Sequence, residues 1–259
     1  MRVSTSKVDY ASLTMRSIRK VVGIVQARMG STRLPGKSMA PLMGRPMLAV
    51  LLERVKPAQR VNEWMVATSA LPIDDPIADL TTQLGVGCFR GSENDCLDRY
   101  YQASRQARAD VVVRITGDNP LVEAAFVDWS LEQFLCSSSD TEYMDSSSSN
   151  TFPLGLSLEI FSYSALQAAW REDCSPSMRE HVTPFIREHP HRFPTCLLHA
   201  DADYSFMRWT VDTAEDLKFV RFLFESFGRL DFSWREALQR VQQHPEWLNI
   251  NRRVVQRTV

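Results

Sequence analysis

A repeated alternation of short apolar runs with helical segments constrains the fold of this chain more than any other feature. The first run, Val21–Val25, is followed by a loop and by a helical segment at about Met47–Val55. Further apolar runs lie at 64–67, 86–89 and 111–115, and helical stretches lie between them at about 76–84 and about 94–107. Short strands that are apolar on both faces are typical of a parallel sheet covered by helices on its two sides. The first half therefore predicts an α/β protein with a largely parallel sheet.

The second half of the chain alternates less regularly, which predicts antiparallel additions to the sheet. We expect strands there at 156–161, 195–199 and 208–211, and helices at about 163–171, about 181–188 and 217–227. Seven serines in Cys136–Asn150 predict a solvated loop, with Glu142–Met144 as a candidate short strand. Capping-box spacing at Ser92–Asp95 and at Thr213–Asp216 marks the starts of two helices.

The organisation of the chain predicts one domain. Neither an internal repeat nor a linker is visible, so we expect a flexible N-terminal extension over residues 1–20 and a single domain over residues 21–259. The extension lacks the apolar core of a signal peptide. The longest purely apolar run, Met47–Leu52, is far shorter than the ~18 residues of a membrane span. We therefore expect a cytoplasmic protein without a membrane partner.

Charge and cysteine content exclude further classes. The chain has 30 Lys+Arg against 31 Asp+Glu, a net charge of −1, which gives no basis for binding nucleic acid through bulk charge. Its five cysteines include no C-x-x-C pair. This argues against a disulfide framework and against a cysteine zinc site, and it favours a reducing compartment.

The loop Gln26–Lys37, directly after the first apolar run, is the most informative stretch of the sequence. It contains two glycines, a proline and three cations, namely Gly30, Gly36, Pro35, Arg28, Arg33 and Lys37. Ligands of open α/β sheets bind at the carboxyl ends of the strands, where glycines let main-chain N–H groups approach phosphates and cations neutralise a triphosphate. A basic surface loop is the alternative, but cations rarely cluster this tightly with glycines at a strand end. The loop therefore predicts a nucleotide-binding site.

Part of this loop is similar to the phosphate-binding loop of kinases and NTPases, G-x-x-x-x-G-K-S. However, five residues rather than four separate Gly30 from Gly36. Pro35 also lacks an N–H group at the point where that loop needs hydrogen-bond donors. We therefore reject a P-loop enzyme.

Two aspartates that follow strand-like runs are candidates for a metal site. Asp118 lies in a Gly-Asp turn after 111–115, and Asp212 follows 208–211. Magnesium is usually held by one or two carboxylates together with phosphate oxygens and water. Either aspartate alone is better explained as a helix cap or a turn residue, so both interpretations stay open at this point.

Several motifs resemble those of the cytidylyltransferases that activate acidic sugars. The loop Ala27–Lys37 matches the signature A-R-x-G-S-T-R-L-P-G-K. The other matching segments are Phe89–Ser92 with Asp95 and Leu97–Tyr100, Arg114–Pro120, Phe152–Pro153 with Gly155 and Glu159, Glu180–Pro184, Arg208–Thr213 with Glu215–Leu217, Pro245–Glu246 and Asn251. They extend over about residues 21–257. The resemblance includes the acylneuraminate and 3-deoxy-manno-octulosonate cytidylyltransferases and is strongest to the spore coat polysaccharide biosynthesis protein F type.

The resemblance implies roles for particular residues. The implied catalytic residues are Arg28, Lys37, Asp118 and Asp212, and the metal ligands among them are Asp118 and Asp212. The implied nucleotide-binding residues are Ala27, Arg28, Gly30, Ser31, Arg33, Lys37, Thr68, Ser69, Gly91 and Arg99. The acceptor-binding candidates are Asn119, Glu159, Glu180, His181 and Arg208. An ion pair with Asp98 or Glu93 on the helix surface is an equal alternative for Arg99, and packing of its own helix is the alternative for His181.

The resemblance also implies a fold and a reaction. The fold is a three-layer α/β/α sandwich, Rossmann-like, with a mixed, mostly parallel sheet of the nucleotide-diphospho-sugar transferase type. The reaction is Mg²⁺-dependent transfer of CMP from CTP to an acidic sugar, with release of pyrophosphate, for surface-glycan synthesis. Relatives commonly dimerise on the acceptor side, so we expect a homodimer formed through about residues 150–208.

The acceptor itself stays open at this point. The family usually has an acidic residue where Ser157 stands, and the serine tract 146–149 is unusual; both lie toward the implied acceptor side. The alternatives are a nucleotidyltransferase that uses another NTP or a phosphonate acceptor, and a catalytically inactive scaffold for glycan assembly.

Overall fold

A central sheet organises the part of the chain that the computed structural model describes, residues 20–138 and 140–256. The strands in these residues are β1 Val21–Gln26, β2 Pro41–Leu42, β3 Arg45–Pro46, β4 Glu63–Ser69, β5 Gly87–Gly91, β6 Val111–Thr116, β7 Tyr143–Asp145, β8 Glu159–Ser162 and β9 Thr195–Leu197. The helices are α1 Met47–Val55, α2 Asp75–Gln83, α3 Cys96–Ala107, α4 Ala124–Cys136, α5 Tyr163–Glu172, α6 Pro176–His181, α7 Pro184–Glu188, α8 Ala214–Phe227 and α9 Trp234–Gln243. The extension expected over residues 1–20 lies outside the described residues, apart from Lys20.

Seven of the described strands form one sheet in the order β5-β4-β1-β6-β8-β7-β9. The strands β5, β4, β1 and β6 are parallel to one another. The strand β8 pairs antiparallel with both β6 and β7, and β7 is parallel to β9. The prediction of a mixed, mostly parallel sheet is therefore confirmed, including the antiparallel addition in the second half.

Side chains from β1 enter two separate hydrophobic clusters because successive residues of a strand point to opposite faces of the sheet. Val21 and Val25 pack into the cluster formed with α1, α4, α8 and α9. Val22 and Ile24 pack into the cluster formed with α3 and α5. Helices thus cover both faces of the sheet, which is the predicted three-layer α/β/α sandwich. In residues 20–138 and 140–256, none of the helices combines the length and the apolar character needed to cross a bilayer.

Two predictions for the second half were wrong in detail. Residues 208–211 do not form a strand: Arg208 makes a single bridge with Leu154, and the segment continues as an irregular buried chain. The candidate strand Glu142–Met144 is confirmed as β7, shifted by one residue, but the serine-rich loop beside it is only partly solvated, because Ser146 is 1% exposed. The Oγ of Ser146 accepts a hydrogen bond from the N–H of Leu158 at 3.1 Å, in place of a main-chain hydrogen bond between the two strands.

One of the two capping boxes that the sequence predicted is present in the structure. The Thr213–Asp216 capping box forms at the start of α8. The box expected at Ser92 does not form, because Asp95 caps α3 instead by accepting from the N–H of Asp98. A third box, Ser233 with Glu236, starts α9 and is a signal that the sequence analysis overlooked. The helices α4, α6 and α9 were not predicted.

A close crossing of main chains fixes the segment that carries Asp212. Gly155 has φ +109°, and a Cβ atom on it would lie 2.2 Å from the N atom of Thr210. Beside it, the carbonyl of Leu154 accepts from the N–H groups of Trp209 and Thr210 at 2.6 and 2.9 Å. The crossing therefore requires glycine, and it holds the residues after 207 against the sheet.

Replacing Gly155 by alanine is expected to lower the free energy of unfolding by more than about 3 kcal/mol, because the substitution adds both strain at positive φ and a steric overlap with main chain. The matched control is Gly228→Ala, at φ +63° with no atom within 4 Å of the added Cβ, which should cost only about 1 kcal/mol. Urea unfolding of the two variants measures both values. Equal losses would contradict the crossing as the cause.

Candidate active site

The loops that follow β1, β4 and β6 meet at one edge of the sheet because the carboxyl ends of parallel strands lie together. The N–H of Gly117 donates to the carbonyl of Gln26 at 2.8 Å, and the N–H of Ala27 donates to the carbonyl of Ala67 at 3.2 Å. A Cβ on Gly117 would lie 2.9 Å from the Gln26 carbonyl oxygen. Glycine is therefore what lets the turn before Asp118 approach the basic loop.

The Nζ atom of Lys37 lies between the two predicted metal ligands. It donates to Oδ2 of Asp118 at 2.8 Å, to Oδ1 of Asp212 at 2.9 Å and to the carbonyl of Val211 at 2.9 Å. Burial by itself lowers the pKa of Lys37, but the two carboxylates outweigh burial and raise it above its ordinary value. Burial likewise favours a raised pKa for Asp212, yet the charges of Lys37, Arg33 and Arg208 hold that pKa below its usual range. Lys37 and Asp212 are thus both charged at neutral pH.

The carboxylate of Asp118 is oriented from its own turn. Oδ1 of Asp118 accepts from the hydroxyl of Thr116 at 2.5 Å, and that hydroxyl accepts from Nδ2 of Asn119 at 2.9 Å. Asn119 is buried, so its amide holds the turn, whereas the sequence analysis expected it to bind the acceptor. Thr116 was not singled out from the sequence.

The oxygen atoms at this point fit a magnesium ion that is also bound by phosphates. Oδ2 of Asp118 and Oδ1 of Asp212 both contact one cationic atom, the Nζ of Lys37, so they converge on a single positively charged position. Carboxylate oxygens are preferred ligands of magnesium, which typically keeps one or two of them and takes its other ligands from phosphates and water. A cluster of three or more metal-ligating side chains does not occur in residues 20–138 and 140–256. The pair therefore suits a metal that arrives with a nucleotide.

The other two cations of the loop are also paired. Nη2 of Arg33 lies 3.0 Å from Oδ2 of Asp212, and Nη2 of Arg28 lies 2.9 Å from Oε1 of Glu180. The Arg28–Glu180 pair is exposed on both sides, and exposed pairs contribute little to stability. Arg28 thus connects the basic loop to α6, which carries two of the acceptor candidates, Glu180 and His181.

A buried aspartate that the sequence analysis missed shapes the basic loop. Asp74 is 1% exposed and accepts from the N–H of Met29 at 2.7 Å and from both the N–H and the hydroxyl of Ser69. Ser69 was predicted to face the base, but its hydroxyl is used in this contact. The signal that could have identified Asp74 is the Pro-Ile-Asp-Asp sequence that begins three residues after the end of β4.

The remaining nucleotide candidates lie around the same edge in different settings. Ala27 and Thr68 are buried, Gly30 is exposed, and Ser31 and Gly91 are partly exposed. The carbonyl of Gly91 accepts from the N–H of Ala70 at 2.7 Å, which joins the ends of β4 and β5. Arg99 is buried.

Arg99 forms neither of the pairs that the sequence suggested. Its guanidinium donates to the main-chain carbonyls of Ser92 and Glu93. The physical reason is that α3 begins one residue after Asp95, so that Arg99 reaches back under the preceding loop. Arg99 therefore stabilises that loop through its main-chain carbonyls.

On the acceptor side, Glu159 lies at the centre of a buried network. Its carboxylate pairs with Arg114 and accepts from the hydroxyls of Tyr143 and Thr183 at 2.5 Å each. The pairing follows from register, because Glu159 on β8 lies opposite Arg114 on β6. Arg114 was not singled out, although a cation inside an otherwise apolar strand was a visible signal.

His181 is half-buried and lies among cations. Burial, followed by the charges of Arg114, Arg187 and Arg28, lowers the pKa of His181 below its ordinary value, against the opposing charge of Glu180. The imidazole is therefore neutral at neutral pH. The positive field that suppresses its protonation is one that would attract an anionic group.

Arg208, which the sequence predicted on the acceptor side, is directed at carboxylates of the protein. It is 9% exposed, and its guanidinium donates to Asp216, to Oδ2 of Asp212 at 2.9 Å and to Oε1 of Gln256 at 2.5 Å. The cause is the irregular path of 208–211, which turns the side chain beneath Asp212. In this setting Arg208 supports Asp212.

Fold and site together define the class of this protein. A basic, glycine-containing loop after β1 faces Asp118, which follows β6, and Asp212, which follows the irregular segment 208–211, at one edge of an α/β/α sandwich. This arrangement is suited to positioning phosphates and neutralising their charge. The chain is a nucleotidyltransferase. The family model described as cytidylyltransferase matches residues 22–222, and the chain belongs to the cytidylyltransferase family.

Three known proteins show the extent of the similarity. The spore coat polysaccharide biosynthesis protein SpsF of Bacillus subtilis is 32% identical over 234 residues, which cover 87% of this chain and 95% of that protein. A 3-deoxy-manno-octulosonate cytidylyltransferase of Trichlorobacter lovleyi is 36% identical over 118 residues, 45% of each chain. The structure of a cytidylyltransferase from Leptospira borgpetersenii serovar Hardjo-bovis matches with a TM-score of 0.86 at 32% identity, covering 92% of this chain and 99% of that one. The resemblance stated from the sequence is confirmed.

Proposed function

We propose that this protein transfers CMP from CTP to an acidic sugar of the nonulosonic or ulosonic acid type, with release of pyrophosphate, in surface-glycan synthesis. The observation that carries the proposal is the position of Lys37 between Asp118 and Asp212 at the edge of the sheet where the basic loop lies. The choice of CTP rests on the family, and the choice of a sugar acid rests on the names of the relatives. A cytoplasmic location and a homodimer through about residues 150–208 belong to the same proposal.

The chemistry requires positioning and charge neutralisation rather than a covalent nucleophile. A hydroxyl oxygen of the acceptor forms a bond to the α-phosphorus of CTP and gives up its proton to solvent. The bond from that phosphorus to the bridging oxygen of the β-phosphate breaks, and pyrophosphate leaves. Arg28, Arg33 and Lys37 are placed to neutralise the phosphate oxygens. Asp118 and Asp212 would hold Mg²⁺, which supplies additional positive charge to the phosphates when it is bound.

An anionic acceptor is supported by the surroundings of His181. Arg28, Arg114 and Arg187 lie close enough to its imidazole to lower its pKa, after burial as the main cause, although Arg28 is paired with Glu180 and Arg114 with Glu159. A carboxylate is the group that arginine binds most readily in bidentate geometry. A phosphonate acceptor has the same anionic chemistry and stays the alternative, as does another NTP.

Thermal unfolding with CTP, UTP, GTP or ATP, each with and without Mg²⁺, tests the nucleotide. We expect the largest stabilisation with CTP and Mg²⁺, because a ligand of the native state at 100 times its Kd adds ~2.7 kcal/mol. Pyrophosphate release with a panel of sugar acids then tests the acceptor, and light scattering of the same samples tests the homodimer. The absence of a shift with every nucleotide would contradict the proposal and favour an inactive glycan-assembly scaffold.

A further inference from the structure

A buried carboxylate directly behind Asp212 collects an unusual number of donors. Asp216 is 0% exposed. It accepts from Nε and Nη2 of Arg208 at 2.8 and 3.0 Å, from the N–H groups of Asp212 and Thr213 at 3.1 and 3.0 Å, and from Nδ2 of Asn251 at 3.0 Å. Five donors on one carboxylate satisfy the hydrogen-bonding capacity that a buried charge requires.

The network extends from Asp216 to the proposed metal ligand through Arg208. Nη2 of Arg208 donates to Oδ2 of Asp212 at 2.9 Å, and Arg33 pairs with the same oxygen at 3.0 Å. The other oxygen of Asp212, Oδ1, faces Lys37 at 2.9 Å. Two guanidinium groups therefore hold one oxygen of Asp212 and leave the other oxygen directed at the position shared with Asp118.

The segment that follows α9 completes the network. The side chain of Asn251 is buried, and Nδ2 donates both to Asp216 and to the carbonyl of Arg208 at 2.9 Å. The side chain of Gln256 accepts from Arg208 at 2.5 Å. Neither residue lies within residues 22–222, which the family model matches.

We propose that Asp216, Arg208 and Asn251 form a positioning unit that fixes the carboxylate of Asp212 for metal binding. The inference deepens the proposed function and rests on it. Groups that orient a metal ligand commonly matter about 10-fold to 100-fold for metal affinity or activity. Capping of α8 explains only the contact of Asp216 with Thr213; the contacts with Arg208, Asn251 and the N–H of Asp212 lie outside the cap.

The variant Asp216→Asn tests the unit, because it keeps the shape of the side chain and removes its charge. We expect the Mg²⁺ concentration for half-maximal pyrophosphate release to rise about 10-fold to 100-fold. Mn²⁺ binding in the presence of CTP, followed by electron paramagnetic resonance, should weaken by the same factor. CTP binding without metal should change by less than about twofold, since Asp216 contacts none of Arg28, Lys37 and the other donors of the basic loop.

The matched control is Glu123→Gln. Glu123 is also a buried carboxylate; it accepts from the N–H of Trp234 at 2.9 Å and lies 3.8 Å from Arg54, away from the site. Both variants should lower the thermal midpoint, but only Asp216→Asn should change the metal dependence. If Asp216→Asn lowers the midpoint and leaves both metal constants at the wild-type values, the residue is structural only and the inference is overturned.

Two further variants keep the test decisive if Asp216→Asn does not fold. Arg208→Lys retains the charge and loses the bidentate contact, and Asn251→Ala removes two hydrogen bonds. We expect both to weaken Mn²⁺ binding, Arg208→Lys more strongly; unchanged binding in both overturns the inference. Failure of the proposed function is distinguishable, because the wild-type protein itself would then show neither CTP-dependent Mn²⁺ binding nor pyrophosphate release.

Discussion

Replacing Asp118 by asparagine is expected to reduce turnover about 10³-fold while the protein remains folded. The substitution removes one of the two carboxylates that contact Lys37. In the proposed function this carboxylate would hold Mg²⁺, and loss of one group that stabilises charge in a transition state costs about 10²- to 10³-fold. Single-turnover release of pyrophosphate at saturating CTP and Mg²⁺ measures the loss.

The control for this variant is Asp128→Asn on α4. Asp128 is likewise an aspartate whose carboxylate is hydrogen-bonded, here to the main-chain N–H groups of Gln59 and Arg60 at 2.9 and 2.8 Å, but it lies outside the site. Its turnover should stay within about twofold of wild type, as is usual for substitutions away from a site. Normal turnover and normal metal dependence in Asp118→Asn would remove this carboxylate from the mechanism.

Replacing Glu159 by alanine is expected to lower the free energy of unfolding by about 3–5 kcal/mol, because removal of one partner leaves Arg114 as an uncompensated, largely buried charge. The hydroxyls of Tyr143 and Thr183 lose their acceptor as well. Urea unfolding monitored by intrinsic fluorescence measures the change.

An exposed ion pair provides the comparison. Glu63→Ala breaks the pair with Lys20, whose side chains are 41% and 34% exposed, and should cost at most about 1 kcal/mol. The double variant Arg114→Met with Glu159→Leu should lose less than Glu159→Ala alone, because no unpaired charge remains. A loss for Glu159→Ala as small as that for Glu63→Ala would show that Arg114 finds other partners.

The sequence predicted β1, β4 and β6 well because each of them is a largely buried apolar run. Their two-sided burial leaves a pattern in neighbouring residues. In the second half, the candidate strands 142–144 and 195–199 form as β7 and the shorter β9, whereas 208–211 has the composition of a strand but is held by Leu154 and Asp118 instead. Local patterns do not contain such long-range contacts.

The candidate site shows the same division. The sequence predicts that the loop 26–37 and the turn at Asp118 meet, because the carboxyl ends of parallel strands lie at one edge of the sheet. It does not predict which atoms each side chain contacts. Arg208 and Arg99 look in sequence like exposed ligand-binding arginines, and only the three-dimensional path of the chain shows that carboxylates and carbonyls of the protein use their donors.

The strand β8 runs antiparallel to β6. The first residue of β8 therefore lies at the same edge of the sheet as the residues that follow the parallel strands. Glu159 opens β8 and faces Arg114 near the end of β6. In primary structure, the nucleotide candidates all precede residue 120, whereas Glu159, Glu180 and His181 come after the serine-rich segment. Two stretches that are far apart in the sequence thus meet along a single seam, which is the pairing of β6 with β8. Such a seam lets mutation diversify the segments that carry Glu159, Glu180 and His181 without altering the nucleotide-binding candidates that precede residue 120.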